Sequence, residues 1–579
     1  MPRNDVVVRV AGEGGEGVIS VAEILTRTAV DSGLDVFTFR SYPAEIKGGL
    51  AMMQVRISKD PLSSIGSHTD ILMCFNQEAF DVWSGAMYPG GVVLFDPKHC
   101  NVPDDYAHTA IPVPLHETAM KETGARISKN AVALAALVEG INLPAEKASE
   151  LLVRKFTRKG QEVVDKNLKS FAAGAGLLRG NAKLDAMKLV DAPGEKRVGR
   201  IVLSGNQSIS LGSIAGGCNF VAGYPITPAT QVLEFMMKYL PGMGGRVIQA
   251  EDEISAIATC LGASYAGARS MTATSGPGLC LMSELIGMAS MSEIPVVLID
   301  VMRSGPGTGM PTKTEQSDLM YALHGSSGEA PRIVIAATSI EDCFVQAINA
   351  FNLADRYQMP VILLSDQAMA YRTKTVDQPD LVGIELAFRE QPQDAALEDY
   401  RRYLDTDTGI SPVAVPGTPG GMYVSSGLEH DEGGAANYTP EVRMQMVEKR
   451  YRKLRTLATE LSKNGNGLNT SADGAEIGVI GWGSTEGPIK EAIERAGRDG
   501  TRFAHLQPRV LMPLATDKIE QFVAPLKKVL IVEENYTAQF AQHLRANVAM
   551  GGTEIIPVNQ CSGFPFTPDE VYAELQKHT

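Results

Sequence analysis

The chain has only seven cysteines in 579 residues, and none sits in a C-x-x-C pair. That spacing offers no disulfide framework and no cysteine set able to hold zinc or an iron–sulfur cluster. No apolar run reaches the ~18 residues needed to span a bilayer, and the N-terminus lacks a charged-then-apolar targeting pattern. There is no basic tract, and the net charge is −14. Nucleic acid is therefore not an expected partner. No internal repeat of short fixed period is visible. These absences set aside membrane, secreted and nucleic-acid-binding classes and leave a cytoplasmic globular protein.

Hydrophobic residues make up 44% of the chain, enough for more than one core at this length. The pattern is α/β throughout. Residues 1–190 begin with the strand-like Val6–Val10 and alternate helices with short apolar strands such as Asp35–Phe39, Ala51–Ile57, Ile71–Phe75 and Val92–Phe95. Residues 191–197 are polar and read as a linker. Residues 198–400 carry buried-type strands at 199–203, 246–250, 295–301, 332–336 and 360–364 with helices between them, the signature of a parallel sheet covered on both faces. A Pro/Gly-rich crossing segment fills 401–472 and includes a charged helix around Glu441–Ser462. A last α/β block, 473–579, opens with the strand Ile477–Gly481.

Gly12, Gly14 and Gly17 fit G-x-G-x-x-G directly after the first strand, which suggests a dinucleotide site. Glu13 and Glu16 oppose it, because they put carboxylates where a pyrophosphate would approach. Asp31 and Asp35 lie near the distance of a ribose-binding acid. Arg40 and Lys47 could instead serve another phosphate-bearing ligand, and tight strand–helix packing by the glycines is the remaining reading.

Four segments of the middle block carry more chemistry. In Gly223-Tyr-Pro-Ile-Thr-Pro-Ala-Thr230 two prolines stiffen the backbone, and Thr227 reads as the cap of a helix whose first turn holds Pro228. Glu251, Asp252 and Glu253 open a helix, Ile254–Ala266, so apolar that it is expected to be buried, with a partly desolvated carboxylate at its lip. Thr274-Ser-Gly-Pro-Gly278 joins a strand to a helix and permits close approach. Arg303-Ser-Gly-Pro-Gly-Thr-Gly-Met-Pro-Thr-Lys-Thr-Glu315 follows a strand directly, and its arginine suits a planar carboxylate. All four should fall at one edge of a single sheet. A nicotinamide-dependent dehydrogenase and a non-catalytic scaffold for an acyl or CoA ligand stay open as other classes.

Taken together the segments resemble the catalytic α subunit of 2-oxoacid:ferredoxin oxidoreductases, thiamine-diphosphate enzymes that oxidise 2-oxo acids with coenzyme A. The specific motifs are Tyr224-Pro-Ile-Thr-Pro228 and Arg303-Ser-Gly-Pro-Gly-Thr308. The likeness covers most of the chain. Residues 1–190 are similar to the family's γ domain fused ahead of α, 198–400 to its pyrimidine-binding domain, and 473–579 to a transketolase C-terminal-like domain. The resemblance implies that Thr227, Arg303 and Thr308 hold the carboxylate and keto oxygen of the 2-oxo acid. It gives Glu253 to the cofactor's aminopyrimidine, with Tyr224, Pro225 and Gly276 beside it. It assigns Gly14, Gly15, Gly17, Arg40 and Lys47 to CoA.

The family's Gly-Asp-Gly followed by Asn, which serves magnesium and the diphosphate, is missing. The resemblance therefore implies a β subunit that brings the thiamine diphosphate/Mg2+ site and a [4Fe-4S] cluster, an (αβ)2 heterotetramer, and ferredoxin as electron acceptor. The γα fusion, Ala414-Val-Pro-Gly-Thr418 and Glu429-His-Asp-Glu432 are similar to the 2-oxoglutarate subgroup. The implied reaction is reversible oxidative decarboxylation of 2-oxoglutarate to succinyl-CoA, with pyruvate and branched-chain oxo acids as the alternatives. Gly427–Glu432 reads as a solvated acidic loop, and no metal site is expected in this chain.

Overall fold

The strands expected in the first block all form, and they assemble around Asp5–Glu13, whose Val6, Val8 and Val10 point into one core. In this computed structural model residues 3–43, 48–189, 196–393, 397–464, 468–471 and 474–579 are described, and they divide into two compact units. The first gathers the chain up to Leu203 with Tyr371–Gln378 and Thr567–Asp569. Its eight-stranded sheet runs Thr109–Pro112, Met87–Phe95, Thr69–Cys74, Asp5–Glu13, Leu50–Ser58, Asp35–Ser41, Thr373–Asp377, Arg200–Ser204. The first four strands are parallel neighbours, and Leu50–Ser58 pairs antiparallel on both sides. The helix Lys129–Gly140 is apolar almost all round, and Ala131–Val138 are buried within the core.

One expected strand changes place. The run 199–203 was assigned to the middle block but lies in the first unit's sheet, beside Thr373–Asp377. Arg200 fixes it there by pairing with Asp35 and, at 2.8 Å, with Asp377. Local pattern gives a strand but not its neighbour, which these ion pairs decide. The expected linker, 191–197, falls largely outside the described residues.

The second unit holds two sheets. The seven-stranded sheet has the order Val510–Met512, Ile333–Ala336, Pro360–Asp366, Val296–Met302, Ser270–Thr274, Phe220–Gly223, Arg246–Gln249. Every adjacent pair is parallel except the first, where Val510–Met512 runs against Ile333–Ala336. Val296–Met302 shows why the sequence reads as continuous apolar: Leu298 and Met302 enter one core, and Val297, Ile299 and Val301 the other. The five-stranded sheet, Leu468–Ser471, Ala504–Pro508, Ile477–Gly481, Lys528–Glu533, Glu554–Asn559, shares the first of those cores. No described helix is long and apolar enough to cross a membrane.

The charged helix is Pro440–Asn464, and it is not merely a solvated rod. Lys449 and Lys453, both almost fully buried, pair with the buried Glu293, and Arg402 donates to the Glu293 carbonyl at 2.8 Å. Burial alone would raise the Glu293 carboxyl, but the three cations outweigh it and hold it well below the usual range. The Gly427–Glu432 segment is latched to the same helix, against the expectation of a solvated loop. Arg450 grips Glu429 with two bonds of 3.0 and 2.8 Å, Arg443 adds a third, and His430 is buried on the Tyr403 ring. The cations lie a dozen or more residues downstream, so a window on the loop alone shows only its acids. Neutralising Glu293 would strand two buried ammonium groups. Glu293→Gln should cost about 3–5 kcal/mol of stability, read as a lower urea midpoint, and an unchanged midpoint would refute the ion cluster's role.

Candidate active site

The carboxyl ends of four adjacent parallel strands deliver the four motifs to one edge of the seven-stranded sheet. Phe220–Gly223 leads to Thr227, Arg246–Gln249 to Glu253, Ser270–Thr274 to Gly276, and Val296–Met302 to Arg303. Open α/β sheets bind ligands at this edge because the loops diverge there and helix N-termini face it.

Thr227 is not a helix cap. A turn covers 227–229, Ala229 is the N-cap, and the helix is Thr230–Tyr239. The Thr230 N–H still reaches back to the Ile226 carbonyl at 2.9 Å, so the corner is closed by backbone and leaves the Thr227 side chain uncommitted to capping. Tyr224 and Pro225 are exposed ahead of it. Arg303 is buried and its Nη1 donates to the Thr227 carbonyl at 2.7 Å, which joins the two predicted substrate residues directly. Thr308 is exposed farther along the loop.

The acidic triplet also resolves differently from the sequence reading. Asp252 is the cap, exchanging a capping-box pair with Ser255, and Glu251 lies exposed before the helix. Only Glu253 is in the first turn, and it is buried. Its carboxylate rests on the glycine loop: a Cβ on Gly278 would fall 2.7 Å from Glu253 Oε1 and 2.1 Å from Thr274 Oγ1. Gly278 is thus required for Glu253 to sit where it does. The helix Glu253–Tyr265 itself is only half buried. Ile254, Ala258 and Gly262 leave an exposed stripe along it, and Leu281 and Met288 on the two following helices are also exposed.

The 303–315 loop folds on itself and is clamped at its end. Ser304 donates to Glu315 at 2.6 Å, and a bridge joins Ser304 to Met310. Gln316, fully buried, donates from Nε2 to the Trp482 carbonyl at 3.0 Å and accepts from the Glu534 N–H at 2.8 Å. The clamp belongs to the five-stranded sheet, so that sheet holds the arginine loop in place. Sequence reasoning missed Gln316, and it missed the acids Asp300 and Asp318. Asp300 had a visible signal, a lone carboxylate in the apolar run Pro295–Met302. Asp318 carried no signal of its own in the sequence.

In the first unit the glycine loop takes turns that favour glycine, with Gly15 and Gly17 at φ 93° and 91°. Gly14 donates to the Gly49 carbonyl at 2.8 Å. Glu16 bends back to accept the Glu13 N–H at 3.0 Å and pairs with Lys129 at 2.6 Å, so its charge is compensated inside the loop. Asp31 pairs with Arg27, and Asp35 with Arg197 and Arg200, which commits both proposed ribose acids elsewhere. Arg40 is half-buried, its guanidinium 4.4 Å from the Tyr371 ring centroid. Lys47 lies outside the described residues. Among the described residues no group of three His, Cys, Asp or Glu side chains is placed to hold a metal ion.

Comparison with known proteins follows the same order along the chain. Residues 7–177 match the family model Pyruvate ferredoxin/flavodoxin oxidoreductase, 211–449 match Pyruvate flavodoxin/ferredoxin oxidoreductase, thiamine diP-bdg, and 475–571 match Pyruvate:ferredoxin oxidoreductase core domain II. The 2-oxoglutarate oxidoreductase subunit KorA of Mycobacterium tuberculosis is 33% identical over 98% of this chain and 90% of its own length. The chain belongs to the 2-oxoacid:ferredoxin oxidoreductase family. A solved 2-oxoglutarate:ferredoxin oxidoreductase from Magnetococcus marinus, with 2-oxoglutarate, coenzyme A and succinyl-CoA bound, is 40% identical and superposes with a TM-score of 0.93 over 99% of both chains. The 2-oxoglutarate synthase subunit KorA of Methanothermobacter marburgensis is 34% identical and matches 64% of this oxidoreductase chain but 97% of its own length.

Within this oxidoreductase fold the Gln316 clamp is open to direct test. Gln316→Leu leaves the Trp482 carbonyl and Glu534 N–H unpaired, at a cost of about 1–3 kcal/mol for each group. Chemical denaturation measures it, and a midpoint equal to the parent's would dismiss the clamp.

Proposed function

We propose that this chain is the α subunit, with a fused N-terminal γ domain, of a 2-oxoglutarate:ferredoxin oxidoreductase that converts 2-oxoglutarate and coenzyme A to succinyl-CoA and CO2. The observation that carries the reading is the convergence of Thr227, Glu253, Gly276 and Arg303 on one sheet edge, with Arg303 bonded to the Thr227 segment. The whole-length likeness to a 2-oxoglutarate enzyme supports the choice of oxo acid.

The residues present fit one half of a thiamine-diphosphate site. Gly278 leaves the space that Glu253 fills, which places a buried carboxylate at the lip of a helix where an aminopyrimidine ring would rest. Bound there, the cofactor supplies the carbon nucleophile that a 2-oxo acid needs in order to lose CO2. Glu253 would hold the proton at that ring's nitrogen. Arg303 offers its fork to the substrate carboxylate, and the Thr227 hydroxyl offers a donor toward the keto oxygen. Tyr224 and Pro225 wall the same edge. Neither the diphosphate nor an iron–sulfur cluster finds ligands in the motifs of this chain, so both belong to a β subunit. The exposed stripe Ile254–Ala258–Gly262, with Leu281 and Met288, is apolar surface that such a subunit would cover. Electrons leave through that subunit to ferredoxin, and the complex is an (αβ)2 heterotetramer.

The first unit would serve coenzyme A. Gly14, Gly15 and Gly17 let backbone approach a phosphate, the Lys129 pair offsets Glu16 though not the exposed Glu13, and Arg40 and Lys47 add cations. Seven free thiols, five of them buried, suit the reducing cytoplasm.

Assay of the chain purified with its partner should show viologen reduction that depends on both 2-oxoglutarate and CoA. NAD reduction by the chain alone would sink the reading. Glu253→Gln should fold normally and lose about 100-fold or more in turnover, and unchanged exchange of the cofactor's C2 proton would remove Glu253 from the mechanism. Arg303→Lys, with a point charge in place of a fork, should raise the KM for the oxo acid about tenfold. Parent-like kinetics would refute the clamp.

A further inference from the structure

Arg303 is not alone in holding the Thr227 corner. Asn206, in the first turn of the helix Gly205–Ala215, is fully buried, and its Nδ2 donates to the Pro228 carbonyl at 3.0 Å. Arg303 Nη1 takes the preceding carbonyl, that of Thr227, at 2.7 Å. Two successive carbonyls are therefore gripped by side chains from two different elements. A third bond, from the Thr230 N–H to the Ile226 carbonyl, is the corner's own, and Pro228 has no N–H with which to add another. Pro228 is buried and Thr227 half-buried, so the inner residue is the one that Asn206 holds.

The helix start that carries Asn206 is itself fastened. Ser204 and Gln207 close a capping box across it, with bonds of 3.2 and 3.0 Å. Ser208 donates to the Ile340 carbonyl, and Gly205 lies so close to the Met369 carbonyl that a Cβ would not fit. The amide is thereby presented from a rigid turn. Its other end does nothing for the fold: Oδ1 is sealed from solvent and has no hydrogen-bond partner among the described residues. An unmet buried acceptor is costly, and an apolar side chain of that size would not carry it. Such a cost is expected where a side chain serves the site rather than the core.

We propose that Asn206 is a positioning residue: it holds the Pro228 carbonyl while Arg303 holds that of Thr227, and so fixes the corner from which the Thr227 hydroxyl meets the 2-oxo acid. Without Asn206 the corner hangs on Arg303 alone. One guanidinium would then have to anchor the backbone by itself and still present its remaining N–H groups to the substrate carboxylate. The inference rests on Thr227 and Arg303 as the oxo-acid clamp.

The test uses the assembled complex with Asn206→Leu, which keeps the volume, and Asn206→Ala, which suits the helix. Each should raise the KM for 2-oxoglutarate about tenfold, the effect of one lost hydrogen bond. The KM for CoA and the exchange of the cofactor's C2 proton should stay at parent values, since neither uses the corner. Combined with Arg303→Lys, the rise should fall short of the product of the two single rises, because both side chains act on one corner. A parent-like KM for the oxo acid overturns the proposal. So does an equal loss in CoA binding and C2 exchange, or failure of both variants to assemble. Amide hydrogen exchange at Thr230, read without substrate, should be about tenfold faster in either variant, and an unchanged rate also overturns the proposal. If that exchange quickens and the parent turns over no 2-oxo acid, the functional reading and the clamp fall, and the Asn206 anchor stands.

Discussion

The parallel alignment of Ser270–Thr274, Phe220–Gly223, Arg246–Gln249 and Val296–Met302 is the constraint on which the site depends. Parallel strands must be covered on both faces, so each is followed by a helix, and every strand-to-helix turn emerges at the same edge. Four turns that lie tens of residues apart in the chain become neighbours for that reason. Thr227, Glu253, Gly276 and Arg303 need no further device to meet than strands that end at one edge.

What tightens the meeting is the absence of side chains at Gly276 and Gly278. Gly278 makes room for Glu253, and Gly276 makes room for Asp318. The arginine loop is then fastened from the other side through Gln316, which reaches Trp482 and Glu534 of the five-stranded sheet. The last block of the chain therefore contributes to the site without placing a reacting group in it. That arrangement suits the role proposed for Arg303, since a loop free at both ends would lose the geometry on which bidentate binding relies.

Charge is buried in this chain at two kinds of place. Around Glu293 it is fully paired with Lys449 and Lys453, and it joins the long helix Pro440–Asn464 to the middle block just ahead of the strand Val296–Met302. At the sheet edge it is left incompletely paired, with Asp300, Asp318 and Arg303 each keeping an unpartnered polar atom. Paired burial serves the fold. Unpaired burial is costly to stability and is expected where a protein must meet a ligand or move a proton.

Most of the elements were legible in the sequence, because apolar period and turn chemistry are local signals: the strands of the first block, the glycine loop and the helix at 441–462 all form close to where they were expected. The four site motifs were legible too, since Pro-stiffened and Gly-rich turns after apolar strands mark carboxyl ends. Partnership was not. The strand Arg200–Ser204 was read into the wrong sheet, Glu429 looked solvated until Arg443 and Arg450 came to it, and the helix Glu253–Tyr265 was expected to be buried although one stripe is exposed. By itself the sequence determined which segments are strands, turns and helices and which residue types stand at their ends. Only the tertiary structure decided who faces whom, that Asp318 turns from its helix toward Gly276 and that Gln316 holds the arginine loop. Local preference acts over a few residues, whereas desolvation and ion pairing act between side chains that the chain brings together from hundreds of residues apart.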